Sequence, residues 1–370
     1  IVYKGDQPIQ LAHLVTRPRH SIINQAFESK LRLPSSRPFN ADGFGIGWYD
    51  PLPHVSPAEV VPKPVVSPIS DPVAKNQHAR KGEVLHGVAD EGKAAELWQM
   101  REYEQELQNE RPCIFKSITP AWSNTNLTRL AEKIRSPLVF AHVRATTMAG
   151  APSEENCHPW AFDKLMWMHN GEISGFSQMR RAMQDGLPDE LYLFPLGYTD
   201  SEWAFVLFLS KLKDPHARVF SHQELCEAMT QTIAHINQLS KEAGVTSPHL
   251  LNFVVTDGET VVATRYINSR TNEASSLFFS SGTSFEEYEE EGMYRMTKAD
   301  KRERIFLLAS EPLTFERSDW MEVRTNTMIV ITRKMNLLQI PIIDEFWVPP
   351  QDPAAYQRSK DFAIEQGFGE

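Results

Sequence analysis

Residues 138–172 read LVFAHVRATTMAGAPSEENCHPWAFDKLMWMHNGE, and the rest of the chain is best read outward from them. Two apolar, β-rich runs, 138–143 and 165–169, each end on a knot of polar residues. The first knot holds Arg144, Thr146 and Thr147; the second holds His169, Asn170 and Gly171; Cys157 and His158 lie between them. Buried strands that deliver a cation, hydroxyls, an amide and a bare glycine N–H to adjacent ends describe the wall of a polar pocket. Each residue also has a plainer reading. Asn-Gly after a strand signals a tight hairpin turn, His169 can be a satisfied core histidine, and Arg144 can simply pair with a carboxylate. Only their joint appearance favours a site.

Glycine marks a second stretch. NADGFGIGWY at 40–49 sets Gly43, Gly45 and Gly47 at alternate positions. No helix follows and the spacing is wrong for a dinucleotide fingerprint. Glycines on one face of a strand instead admit another backbone or a ligand at close range. A short strand is expected at 1–4, closed by Gly5, and another at 113–117. Between them, 50–110 is first Pro-rich and then charged, so it reads as an excursion from one domain.

Downstream, 200–212 (DSEWAFVLFLSKL) is apolar almost all round and predicts a helix buried between layers. Asp200 stands where an N-cap would, and Ser201 reads as a helix-start serine with no recognisable base. Ser221–Glu224 has the form of a capping box opening a second long helix. Asp257-Gly258 predicts a hairpin between strands at 251–256 and 259–267. Further strands are expected at 276–281, 305–309, 327–332 and 337–340. The chain divides into one domain over 1–341, with its insertion at 50–110, and a tail at 342–370.

Composition narrows the function classes. The net charge of −10, from 38 Lys+Arg against 48 Asp+Glu, speaks against nucleic acid or an anionic membrane as the main partner. Three scattered cysteines make neither a disulfide framework nor a zinc-binding pair, and a cytoplasmic setting is expected. There is no P-loop, HExxH or GxSxG. His142, His158 and His169 lack a zinc-ligand spacing. Cys157-His158 is a poor nucleophile pair, because neighbours on a strand point to opposite faces.

HVRATT, NCHPW, MHNGEI and TDSE, in that order after an N-terminal strand and NADGFGIGWY, resemble the class II glutamine amidotransferases of the N-terminal-nucleophile hydrolase superfamily. QPIQLAHLVTRPRHSIINQAF, PHLLNF and ASEPLTFERSDW are similar to the fungal branch that degrades glutathione with a metallopeptidase-like partner. The resemblance implies a four-layer αββα sandwich and no metal or organic cofactor. It implies that Arg144 clamps a substrate α-carboxylate, that Asp200 receives the α-ammonium, and that Thr147 and His158 line the same pocket. Asn170 and the Gly171 N–H would stabilise an oxyanion. The family nucleophile is an N-terminal cysteine, expected a few residues before IVYKG; a chain that starts at Ile1 should be inactive. Glutathione or glutamine is the expected substrate. The competing readings are a glutaminase module feeding ammonia to a synthase, or a non-catalytic γ-glutamyl-binding scaffold.

Overall fold

A computed structural model describes residues 1–26, 40–51, 110–144 and 152–365. β1 (Val2–Gln10), β2 (Phe44–Trp48), β3 (Cys113–Ser117) and β4 (Arg135–Val143) join in one sheet. The chain then crosses to a second sheet with β5 (Trp160–Phe162), β6 (Leu165–Glu172), β7 (Leu250–Thr256) and β8 (Val261–Arg265). It returns to the first sheet with β9 (Phe278–Gly282). A separate hairpin of β10 (Ser284–Glu289) and β11 (Met293–Thr297) follows, then β12 (Ile305–Ala309) and β13 (Met321–Glu322). β14 (Thr327–Ile331) and β15 (Leu337–Pro341) complete the second sheet. The strand orders are β13-β9-β12-β1-β4-β2-β3 and β15-β14-β8-β7-β6-β5, antiparallel at every pairing.

Alternation along the strands sorts the side chains into three apolar layers. Val2, Leu138 and Phe140 from the first sheet meet Met166, Met168, Val254 and Ile329 from the second, so the sheets pack face to face. The other face of the first sheet, with Tyr3, Val139, Ala141 and Leu307, is covered by the short helices Ala12–Val15, Ile22–Gln25 and Thr125–Ala131. The other face of the second, with Trp167, Phe253 and Val255, is covered by helices Phe176–Gln184, Asp200–Lys211 and His222–Glu242. Helix, sheet, sheet, helix is the four-layer αββα sandwich.

The glycines of β2 explain how closely the two sheets approach. Gly45 pairs with His142, and Gly47 with Phe140, so both face the gap between sheets. A Cβ on Gly45 would lie 2.0 Å from the His158 carbonyl oxygen, and one on Gly47 2.3 Å from Met166 Sδ. Only a bare backbone admits the second sheet there.

Several expectations shift in detail. β1 runs on to Gln10 instead of stopping at Gly5, through a break in register between Lys4 and Ile9. Asn170-Gly171 is no turn: both residues sit inside β6, opposite Asn252 and Leu251 of β7. Thr199, not Asp200, caps the buried helix, its hydroxyl accepting from Glu202 N at 3.3 Å. Ser221 does cap its helix, accepting from Glu224 N at 3.1 Å. The stretch expected as a tail is tied to the second sheet. Tyr266 donates to Asp344 at 2.5 Å, and Arg358, on the helix Pro353–Glu365, meets buried Glu273 at 2.7 Å. The Pro-rich and charged excursion lies, at 52–109, outside the described residues.

Candidate active site

The ends of β4 and β6 lie on opposite sheets and present their side chains to the same gap. Along β4, Phe140 and His142 point inward, and Arg144 continues that face one residue past the strand. Its backbone still pairs with the start of β2: Arg144 N donates to Gly43 O at 2.9 Å, and Asp42 N to Arg144 O at 3.1 Å. The Arg144 side chain is buried. Along β6, Met166 and Met168 point inward, so Asn170 does too, and its Nδ2 donates at 3.0 Å to Ser310 Oγ, one residue past β12 of the first sheet.

Gly171 turns its N–H away from β7. Leu251, opposite it, turns its own backbone to the other neighbour, with Leu251 N donating to Tyr266 O and Leu251 O accepting from Thr264 Oγ1. By the alternation of an antiparallel ladder, the Gly171 N–H points away from β7, on the side where β5 has already ended. The position also demands glycine, since φ is +152° and a Cβ would fall 1.9 Å from Leu250 O.

Asp200 sits at the first turn of its helix and reaches the end of β6. Its Oδ2 accepts from Ile173 N at 2.7 Å and its Oδ1 from Ser201 N at 2.9 Å. Two backbone N–H groups thus fix an intermediate-exposure carboxylate three residues beyond Asn170. Partial desolvation, and then the Asp200 charge, hold the nearby Glu172 carboxyl above its usual range.

His158 is buried with its ring 4.1 Å from that of His142 and 4.3 Å from Trp160. Among the described residues, neither ring nitrogen of His158 has a hydrogen-bond partner, and neither does His142 Nδ1. Burial pushes His142 down to about 3 and His158 well below the usual imidazole range. The neighbouring histidines and cations, Arg144 among them, depress His158 further. Both rings are therefore neutral at pH 7, and the three unpartnered nitrogens are buried. No group of three potential metal ligands occurs among the described residues. Cys157 is buried against Ser117 O and Ser153 O, and burial raises its thiol, so it is a neutral core cysteine. It precedes β5 instead of lying on a strand. Thr147 lies outside the described residues.

Ser310, which holds Asn170, was not singled out in the sequence; His169, named there in the polar knot with a satisfied core histidine as its plainer reading, and the helix-start Ser201 are bonded to each other at 2.9 Å. Only spacing across 140 and 32 residues joins these pairs, which no local pattern encodes.

Comparison with known proteins decides the family. The sequence pattern of the "Glutamine amidotransferases class-II" matches residues 84–340, which include Arg144, Asn170, Gly171 and Asp200. The chain belongs to the class II glutamine amidotransferases. A full-length relative among these amidotransferases is "Probable glutamine amidotransferase DUG3" of Saccharomyces cerevisiae, 43% identical over 378 aligned positions that cover 100% of this chain and 90% of the yeast protein. Among solved structures, a glutamine aminotransferase class-II domain protein from Silicibacter pomeroyi superposes with a TM-score of 0.51 at 22% identity, covering 92% of this chain and 98% of that one. That likeness concerns the amidotransferase fold, and it agrees with the sandwich described above.

Proposed function

We propose that the protein hydrolyses a γ-glutamyl amide bond, that of glutathione, through the thiol of a cysteine preceding Ile1. The observation that carries this reading is the register of β1. Ile1 exchanges hydrogen bonds with Ala141, N to O at 2.8 Å and O to N at 2.9 Å. Val2 lies opposite Leu308 on the other side. Continued by one to three residues, the strand would run beside His142, Val143 and Arg144 on one flank and Ser310 on the other. An N-terminal thiol there would stand between the guanidinium of Arg144 and the amide of Asn170.

In this scheme the Arg144 guanidinium takes the substrate α-carboxylate as a two-point partner, and Asp200 takes the α-ammonium. His158 and Thr147 line the same pocket. The thiol attacks the γ-carbonyl carbon, its proton passing to the cysteine's own α-amino group. The developing oxyanion is met by Asn170 Nδ2, which keeps one hydrogen beyond the one given to Ser310, and by the Gly171 N–H. Collapse hands that proton from the cysteine's α-ammonium to the leaving nitrogen, expels the amine, here the Cys-Gly dipeptide, and leaves a thioester that water cleaves to glutamate and the free thiol. No cofactor is needed.

Glutathione as the substrate, and a metallopeptidase-like partner, rest on the similarity of 7–27 and 309–320 to the fungal glutathione-degrading branch. The test is glutamate release by the chain with its upstream residues and its partner. Release from glutathione supports the reading. Brisk hydrolysis of glutamine with none of glutathione would replace it by an ammonia-supplying glutaminase.

A further inference from the structure

The second sheet ends in an edge that is uncovered among the described residues. β15 is its outermost strand, and residues 338–341 are exposed. Backbone hydrogen bonds fix which groups face outward. Ile342 N donates to Asn326 O, and Asn336 O accepts from Thr332 N. Even-numbered residues of β15 therefore face β14, and Leu337, Gln339 and Pro341 turn their backbones away from the sheet. Such an edge is a template for another strand, and soluble proteins usually blunt it with charge.

Here the strand carries none, while its flanks carry opposite signs. The sequence is RKMNLLQIPIIDE, from Arg333 to Glu345. Nine uncharged residues from Met335 to Ile343 lie between Arg333-Lys334 at the hairpin tip and Asp344-Glu345 at the far end. The pattern is antisymmetric about Gln339. When the strand is laid antiparallel on itself with Gln339 opposite Gln339, Arg333 falls opposite Glu345 and Lys334 opposite Asp344. Lys334 makes no ion pair among the described residues; Arg333 meets Glu259 and Glu345 meets Lys241, all with exposed or half-exposed side chains.

We propose that this edge is a two-fold interface at which β15 pairs with β15 of a second copy of the chain, joining two six-stranded sheets into one. The central Gln339 pair exchanges two N–H···O bonds, and each Leu337 N–H reaches the Pro341 carbonyl of the other copy. Pro341 has no N–H, so it leaves only the Leu337 carbonyl without a strand partner. On the helix-side face Leu338 of one copy meets Ile340 of the other, covering two side chains that are 37% and 38% exposed. Ile343, 71% exposed, lies beside them at a groove of about 370 Å³ lined by Cys226, Thr230, Met328 and Ile340. β15 is separated from β6, which carries Asn170, by three intervening strands, so pairing leaves the candidate active site open.

The test is the mass of the full chain by sedimentation and light scattering across a concentration series. The expected result is a dimer that becomes monomeric in Gln339→Pro, which deletes the central donors but no bond to β14, and in Lys334→Glu, which sets like charges beside Asp344. Melting temperature should match that of wild type in both when compared at a concentration where wild type is itself monomeric. A second measurement fixes the register: Leu338→Cys with Ile340→Cys, in a background with Cys113 and Cys226 replaced by Ser, should cross-link two copies on mild oxidation. A wild-type chain that stays monomeric overturns the proposal, whether or not another protein binds the edge. So does a dimer that survives Gln339→Pro, or absence of the cross-link. If Gln339→Pro fails to fold, the cross-link alone decides.

Discussion

His169 Nδ1 lies 2.9 Å from Ser201 Oγ, while Nε2 of the same ring lies 2.8 Å from Leu250 O. A carbonyl can only accept, so Nε2 carries the proton and Nδ1 accepts from the serine hydroxyl. Burial holds the ring below its usual pKa, although the Asp200 charge pulls it up, and the neutral tautomer agrees with that. Ser201 also gives its backbone N–H to Asp200. The pair locks the start of a helix to the end of β6.

Ser201→Ala leaves His169 Nδ1 buried without a donor. The expected cost is about 1–3 kcal/mol in unfolding free energy, read by urea denaturation. The Asp200 carboxylate keeps both backbone donors, so binding of a γ-glutamyl ligand should weaken far less than stability. An unchanged midpoint would remove this lock from the account.

Gly171→Ala should fail through shape. Its φ of +152° is costly for any L side chain, and the methyl would strike Leu250 O, which already accepts from His169. Backbone strain alone is worth on the order of 1–3 kcal/mol. A lowered melting temperature together with lost activity is expected; a variant of normal stability and normal rate would show that the backbone there is not as described.

Asn170→Ala separates chemistry from folding. Asn170 is exposed, so melting should hardly move. Loss of one oxyanion donor should cut kcat by roughly 10²–10³-fold, about 3–4 kcal/mol of barrier, in the chain that carries its upstream residues. A tenfold or smaller loss would take Asn170 out of the oxyanion site.

The fold was legible where a pattern is local. β4, β6, the buried helix at 200–211 and the Asp257-Gly258 hairpin follow from apolar runs and turn chemistry. The plainer reading of Asn170-Gly171 as a tight turn does not hold, because that turn needs both residues at positive φ and only Gly171 has it; seven residues of pairing with β7 override the local signal. The β10–β11 hairpin went unseen because SFEEYEEEGMYRMT looks like a charged loop. Its turn, Glu291-Gly292 with φ of 70° and 78°, lacks the usual Asn or Asp. At the candidate site the strand-end residues were readable, and their partners were not. Ser310 and Ser201 meet Asn170 and His169 only through the stacking of layers.

Glu202 gives a pH test. It is 2% exposed and accepts from Leu196 N and Gly197 N, yet burial raises its carboxyl from 4.5 to about 7, against those bonds and Lys116. Between those two values the unfolded chain has lost a proton that the folded chain still holds. Stability should therefore fall as pH rises through that window, by on the order of 3–4 kcal/mol from this group, and be indifferent to it on either side. Denaturation of wild type and Glu202→Gln at several pH values should show this slope in wild type only. Equal slopes would contradict it.

The central claim is that a thiol preceding Ile1 attacks a γ-glutamyl carbonyl held beside Arg144, Asn170 and Asp200. Its most direct measurement is glutamate release from glutathione, with the peptidase-like partner present, by three forms of the chain: one carrying the upstream cysteine, the same with that cysteine changed to serine, and one beginning at Ile1. Release is expected from the first and none from the other two. Equal release by the chain beginning at Ile1 would contradict the claim.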